Sequence, residues 1–135
     1  MPKKATILVI DDELNLRRTL AFILQRAGYL VVTAADGLDT LRCLVSGSFD
    51  LVFIDLQLPD VEGIRLADEI HKIYTQIPVI ILTGHPTLET KTEATKQAVA
   101  AYLAKPFDPA QILAKVEEVL EKNNGDGNQD ADESG

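Results

Sequence analysis

Leu51-Val52-Phe53-Ile54-Asp55 is the stretch that decides the fold. Four apolar residues run without a polar break and end on a carboxylate. A strand that is apolar at every position buries both faces, and such strands belong to parallel sheets covered by helices on each side. The same signature recurs at Ile7-Leu8-Val9-Ile10, which runs into Asp11-Asp12-Glu13, and at Val79-Ile80-Ile81-Leu82, which runs into Thr83-Gly84. Two shorter apolar runs, Tyr29–Ala34 and Ala101–Leu103, complete a set of five.

Helical patterns separate these runs. Leu16, Leu20, Ile23 and Leu24 form one stripe, and Gly28 is placed to stop that helix in the left-handed region. A second helix is expected over Gly37–Val45 with Asp36 as N-cap. A third is expected over Gly63–Ile73, presenting Ile64, Ala67, Ile70 and Ile73. The last opens with Asp108-Pro109-Ala110-Gln111, an N-cap followed by a first-turn proline, and carries Ile112, Leu113, Val116, Val119 and Leu120. Asn123-Asn124-Gly125 is expected to end it. The fourth pattern, Thr87–Ala98, is mostly polar, with Leu88, Ala94 and Ala98 to anchor it, so it should hold to the sheet weakly. Strict alternation of strand and helix with short connections implies a doubly wound α/β sheet.

Composition limits the function. The chain has 135 residues, 46% of them hydrophobic, and a formal charge of −8. Asp126, Asp130, Asp132 and Glu133 carry four of those charges in residues 123–135, read as an acidic disordered tail or the start of a linker. Residues 1–122 are one domain's worth of sequence. No basic stripe points to nucleic acid or a membrane surface. Cys43 has no partner for a disulfide and sits in a helical pattern as a small apolar filler. No signal peptide is recognisable, so cytoplasm is the expected location.

Ligands of open α/β sheets bind beyond the carboxyl ends of the strands, where strand order reverses. The residues there are Asp11, Asp12, Asp55, Thr83, Gly84 and, past the last strand, Lys105-Pro106. Three carboxylates gathered at two strand ends repel one another, and a hard divalent cation with oxygen ligands, magnesium or manganese, relieves this. The plainer readings are a helix N-cap for Asp12 and a solvated loop acid for Asp11. Thr83, Lys105 and the Gly84 amide add a hydroxyl, an ammonium and an N–H, which suits a dianionic phosphoryl group with a carboxylate as nucleophile. Neither a Walker loop nor a dinucleotide-binding glycine motif is present.

The segments Ile7–Glu13 (ILVIDDE), Phe53–Gly63 (FIDLQLPDVEG), Ile81–Gly84 (ILTG) and Tyr102–Phe107 (YLAKPF) resemble the receiver domains of two-component response regulators, in order and in spacing, over about residues 5 to 122. The resemblance implies a CheY-like, flavodoxin-like fold with strand order 2-1-3-4-5 and five helices. It implies Asp55 as phosphoacceptor, Asp12 as a direct and Asp11 as a water-mediated metal ligand, and the Gln57 carbonyl as a further ligand. Lys105 would pair with phosphoryl oxygens, and Lys105-Pro106 would be cis. Thr83 and Tyr102 would be the switch pair, and Gln57 and His85 would flank the path of the hydrolytic water. The partners implied are a sensor histidine kinase or histidine phosphotransfer protein. Because the weakly held Thr87–Ala98 helix borders Thr83 and Tyr102, the face of the fourth helix, fifth strand and fifth helix is the candidate interface for a partner or for a phosphorylation-dependent homodimer. The chain departs from the family at Ala98, where a glycine is usual, and at Ala101, where an aspartate is usual. Two other functions compete with a signalling module. An aspartate-nucleophile phosphohydrolase would want a second acid at Gln57, and a phosphorylation-independent scaffold would not need the intact site.

Overall fold

The computed structural model describes residues 5–97 and 99–134, with side chains through Asn123 except at 98. Elements alternate without exception: β1 (Thr6–Ile10), α1 (Leu14–Arg26), β2 (Leu30–Ala34), α2 (Gly37–Ser46), β3 (Leu51–Asp55), α3 (Gly63–Ile73), β4 (Val79–Thr83), α4 (Leu88–Lys96), β5 (Ala101–Ala104) and α5 (Pro109–Ser134). The strands form one parallel sheet in the order β2-β1-β3-β4-β5. This is the doubly wound topology that the sequence implied, and β1 and β3 lie side by side at the reversal.

The continuous apolar runs are the central strands. Every residue from Ile7 to Ile10 and from Leu51 to Ile54 is at most 1% exposed. Alternate strand residues feed two cores, one on each face of the sheet. Leu8, Ile10, Val52, Ile54 and Ile81 pack under α2, α3 and α4 with Leu44, Ile64, Ala67, Ile70 and Ala94. Ile7, Val9, Phe53, Ile80 and Leu82 pack under α1 and α5 with Leu20, Leu24, Ile112, Val116 and Val119. Cys43 packs against the first core, and burial, then Asp39, pushes its thiol up, away from a reactive thiolate.

Local signals act where the sequence placed them. Gly28 has φ 100° and ends α1. The Asp36 carboxylate accepts from the Asp39 amide at 2.8 Å and caps α2. The Asp108 carboxylate accepts from the Ala110 amide at 3.2 Å at the head of α5.

Three expectations change. Ile73 is 62% exposed, because it is the last residue of α3 and the buried stripe ends at Ile70. Leu88 is 82% exposed at the first turn of α4, so only Ala94 of that helix is buried. The polar helix is thus held even more lightly than its composition suggested. α5 does not stop at Asn123-Asn124-Gly125 but runs to Ser134, although Asn, Gly and Asp are weak helix formers. Ala98, the departure from the family's glycine, lies outside the described residues. Among the described residues no helix is long and apolar enough to cross a membrane.

Candidate functional site

The strand ends bring the acids together. Asp55 is the last residue of β3 and 7% exposed. Asp11 follows β1 directly and is 1% exposed, whereas Asp12 is exposed. Asp11, Asp12 and Asp55 each present a carboxylate oxygen, and the three atoms lie within 4.8 Å of one another. Such a set of oxygen donors fits a hard divalent cation. The plainer reading of Asp12 as helix cap fails, because the N-cap of α1 is Glu13, which makes no side-chain cap bond. Asp11 Oδ1 instead accepts from the Glu13 amide at 3.0 Å and shapes the turn.

Lys105, in the β5–α5 loop, joins the acids. Its Nζ lies 3.2 Å from Asp11 Oδ2 and 3.4 Å from Asp55 Oδ1. Its own amide donates to the Thr83 carbonyl at 2.7 Å, which ties the β5–α5 loop to β4. The Lys105-Pro106 peptide is cis. Burial pushes the Asp55 carboxyl up from its ordinary value; the Lys105 charge opposes this and the Asp11 charge reinforces it. The Gln57 amide approaches Asp55 Oδ1 at 3.4 Å. Gln57 pairs with Glu62 across the loop, but the hydrogen bond of that pairing runs from the Gly63 amide to the Leu56 carbonyl at 2.7 Å. The Gln57 carbonyl is therefore not consumed by it.

Thr83 ends β4 and is 1% exposed. Its Oγ1 accepts from the His85 amide at 3.0 Å, which leaves the hydroxyl proton to be given elsewhere. Gly84 and His85 are exposed, and a Cβ added at Gly84 would meet nothing within 4 Å. Tyr102 sits on the edge strand β5 with its ring against the core beneath α4 and its hydroxyl hydrogen-bonded to Thr90 Oγ1. The structure thus gathers Asp11, Asp12, Asp55 and Lys105 into one cluster, with Thr83 at the end of β4 and Gln57, Gly84 and His85 on adjoining loops.

Three contributors were not read from the sequence. Arg17 Nη1 donates to the Asp11 carbonyl at 2.6 Å and braces the acid turn. Gly63 lies so close to β3 that an added Cβ would stand 2.4 Å from the Asp55 carbonyl oxygen. Asp60 grips the start of α2 with both carboxylate oxygens. The glycine was visible within Phe53–Gly63; the partners of Arg17 and Asp60 are set only by the fold. A cleft of about 790 Å³, lined by Tyr29, Phe49, Tyr74 and Leu120 among others, opens at the amino ends of the strands, and none of the site acids lines it.

Residues 7–117 match the family described as the response regulator receiver domain. The chain belongs to that family. The transcriptional regulatory protein GlrR of Escherichia coli is 37% identical over 121 residues, covering 90% of this chain and 27% of that protein. A receiver domain from Methanospirillum hungatei superposes with a TM-score of 0.88 at 30% identity, covering 92% of this chain and 99% of that one. NtrX of Brucella abortus, in complex with ADP, superposes with a TM-score of 0.89 at 31% identity, covering 95% of this chain and 30% of that one. The chain spans about a quarter to a half of the length of the curated relatives it matches.

Proposed function

We propose that this receiver is a phosphorylation switch in which Asp55 accepts a phosphoryl group from the histidine of a sensor kinase or phosphotransfer protein. The observation that carries the reading is Asp55 at the end of a fully buried strand, with Asp11 and Asp12 within ligand reach and Lys105 at 3.4 Å. An Asp55 carboxylate oxygen attacks phosphorus, the phosphorus–nitrogen bond breaks, and the imidazole nitrogen keeps the electron pair and is protonated from solvent. The product on Asp55 is an acyl phosphate. Asp11, Asp12, Asp55 and the Gln57 carbonyl would hold magnesium or manganese, which when bound supplies positive charge to the phosphoryl oxygens. Lys105 would add a second positive charge, and the Thr83 hydroxyl and Gly84 amide would be donors to the new oxygens.

The receiver's own chemistry is confined to this transfer and to hydrolysis of the acyl phosphate, in which water takes the phosphoryl group as inorganic phosphate and frees the Asp55 carboxylate. Gln57 and His85, two residues past Asp55 and Thr83, are placed to tune that hydrolysis, and equal decay rates for phosphorylated wild type and His85→Ala would remove His85 from it. Output is read from α4, β5 and α5, by a partner, an attached domain or a second copy. The curated relative is named as a transcriptional regulatory protein and is longer than this chain, so nucleic-acid binding by a full-length protein is compatible with the reading; the receiver itself is acidic. Incubation with acetyl phosphate and magnesium, followed by intact-mass measurement, tests the assignment. One phosphoryl group should add to wild type and none to Asp55→Asn; full labelling of the variant would overturn it.

A further inference from the structure

The two acid-bearing loops do not touch only through the acids. The Asp11 amide donates to the Ala34 carbonyl at 3.1 Å, which hangs the β1–α1 loop from the end of β2. Three residues further on, Asp60 of the β3–α3 loop reaches the same segment. Its Oδ1 accepts from the Gly37 amide at 2.9 Å and its Oδ2 from the Leu38 amide at 3.1 Å. Both amides lie in the first turn of α2, where N–H groups lack helical partners and negative charge is favoured.

The segment between these attachments is locked on itself. Asp36 accepts from the Asp39 amide at 2.8 Å, Asp39 Oδ2 accepts from the Ala35 amide at 3.2 Å, and the Thr40 hydroxyl donates to the Asp36 carbonyl at 2.8 Å. Contact with the β3–α3 loop is also close enough to restrict residue type. A Cβ added at Gly37 would stand 2.7 Å from Val61 Cγ1 and 3.3 Å from the Asp60 carboxylate oxygens. A turn that contributes no ligand therefore holds the Asp11–Asp12 loop by one hydrogen bond and the Gln57–Val61 loop by two.

We propose that Asp60 is a positioning residue: through the rigid β2–α2 turn it fixes the spacing between Asp11 and Asp12 on one loop and Gln57 on the other, and so sets divalent-cation affinity. The inference rests on the metal-assisted reading above. Asp60 itself stays outside the cluster and touches no reacting atom. Its hydrogen bonds to Gly37 and Leu38 hold its carboxyl below the ordinary value, in keeping with a carboxylate engaged by amides.

The test compares magnesium titrations of wild type, Asp60→Ala, Asp60→Asn, Gly37→Ala and Asp50→Ala. Asp50 is the control, because its carboxylate also accepts from a backbone amide, that of Thr6 at 2.8 Å, but at the opposite end of the sheet. Loss of an outer-shell support weakens metal binding by about 10–100-fold, and at one further remove the expected loss for Asp60→Ala is roughly threefold to tenfold. Labelling by acetyl phosphate should slow at limiting magnesium and recover at saturating magnesium. Asp60→Asn keeps one acceptor oxygen and should fall between, Gly37→Ala should act in the same direction, and Asp50→Ala should bind magnesium as wild type does. Without any ligand, the Asp11 amide should exchange faster in Asp60→Ala than in Asp50→Ala. Unchanged affinity in both Asp60→Ala and Gly37→Ala, or an equal loss in Asp50→Ala, would overturn the proposal. A wild type that binds no magnesium and takes no phosphoryl group would overturn the phosphorylation reading instead, and the exchange of Asp11 would then decide the bracing role alone.

Discussion

The hydroxyl of Tyr102 on β5 is hydrogen-bonded to the hydroxyl of Thr90 on α4. This matters because α4 has little else to hold it: Ala94 is its one buried residue, and Leu88 points to solvent. Any inward movement of Tyr102 breaks this bond and releases the first turns of the helix. A side-chain hydrogen bond contributes about 0.5–1.5 kcal/mol, so Tyr102→Phe, which keeps the ring in place, should speed amide exchange across Thr87–Lys96 by roughly threefold to tenfold. Labelling of Asp55 should be unaffected. Beryllofluoride should loosen or shift the same segment in wild type and have a smaller effect in the variant. Identical exchange in wild type with and without beryllofluoride over Gly84–Tyr102 would sink the switch.

Asp55 gives a pH dependence with a definite sign. Burial and the Asp11 charge raise its carboxyl above the ordinary value, against the pull of Lys105. The folded chain therefore binds this proton more tightly than the unfolded chain, whose aspartates titrate near about 3.9. Below that value both states are protonated and ionisation costs the fold nothing. The cost appears as pH rises through the window between the unfolded and folded values, and it is complete above it. Asp55→Asn removes the cost. In chelator, the variant should be more stable than wild type at pH 7, and the gap should close as pH falls toward 4. Each 1 kcal/mol corresponds to about 4 °C in Tm for a domain near this size. A variant less stable at pH 7, or a gap independent of pH, contradicts the account.

Lys105 is the only cation that the structure places on the acids, at 3.2 Å from Asp11 and 3.4 Å from Asp55 among the described residues. Removing one member of a buried ion pair costs about 3–5 kcal/mol, and the partial solvent access of Lys105 reduces this to roughly 1–3. Lys105→Met should lose that much stability in chelator. It should then gain more from magnesium than wild type does, because the metal no longer competes with an ammonium. Thermal midpoints across a magnesium titration read both effects. An equal magnesium response in the two proteins would mean that Lys105 and the metal do not share the same carboxylates.

Much of this was legible because burial on two faces leaves a direct mark on the sequence. Runs such as Leu51–Ile54 have no polar residue to hide, and the acids that follow the first and third runs, Asp11-Asp12 and Asp55, stand out against them. Gly28 and Asp36 were legible for the same reason, since each acts on its nearest neighbours in the chain. What was not legible depends on distant partners. Leu88 looked like an anchor by period alone, but at the first turn of α4 its side chain is left 82% exposed. Thr90 reads as one polar residue among many until β5 places Tyr102 beside it. Asp60 sits in a turn-forming stretch and gains its role only because α2 begins within reach.

Gly63 tests how tightly the end of β3 is held. Its φ is not in the left-handed region, so the requirement for glycine is one of space. An added Cβ would stand 2.4 Å from the Asp55 carbonyl oxygen and 2.9 Å from the Leu56 Cα, both backbone atoms that no rotamer change can move. Either β3 shifts at Asp55 or the start of α3 is pushed outward, where Ile64, Leu66 and Ala67 would lose burial. Overpacking of this kind costs typically 1–3 kcal/mol. Gly63→Ala should therefore lower stability by about that amount and should slow labelling of Asp55, because the strain falls on the proposed phosphoacceptor. Gly84→Ala is the companion variant: its Cβ would meet nothing, so stability should hold. Denaturant midpoints and acetyl phosphate labelling measured on both variants separate the cases. If Gly63→Ala folds and labels as wild type does, the approach of α3 to Asp55 is looser than the structure shows.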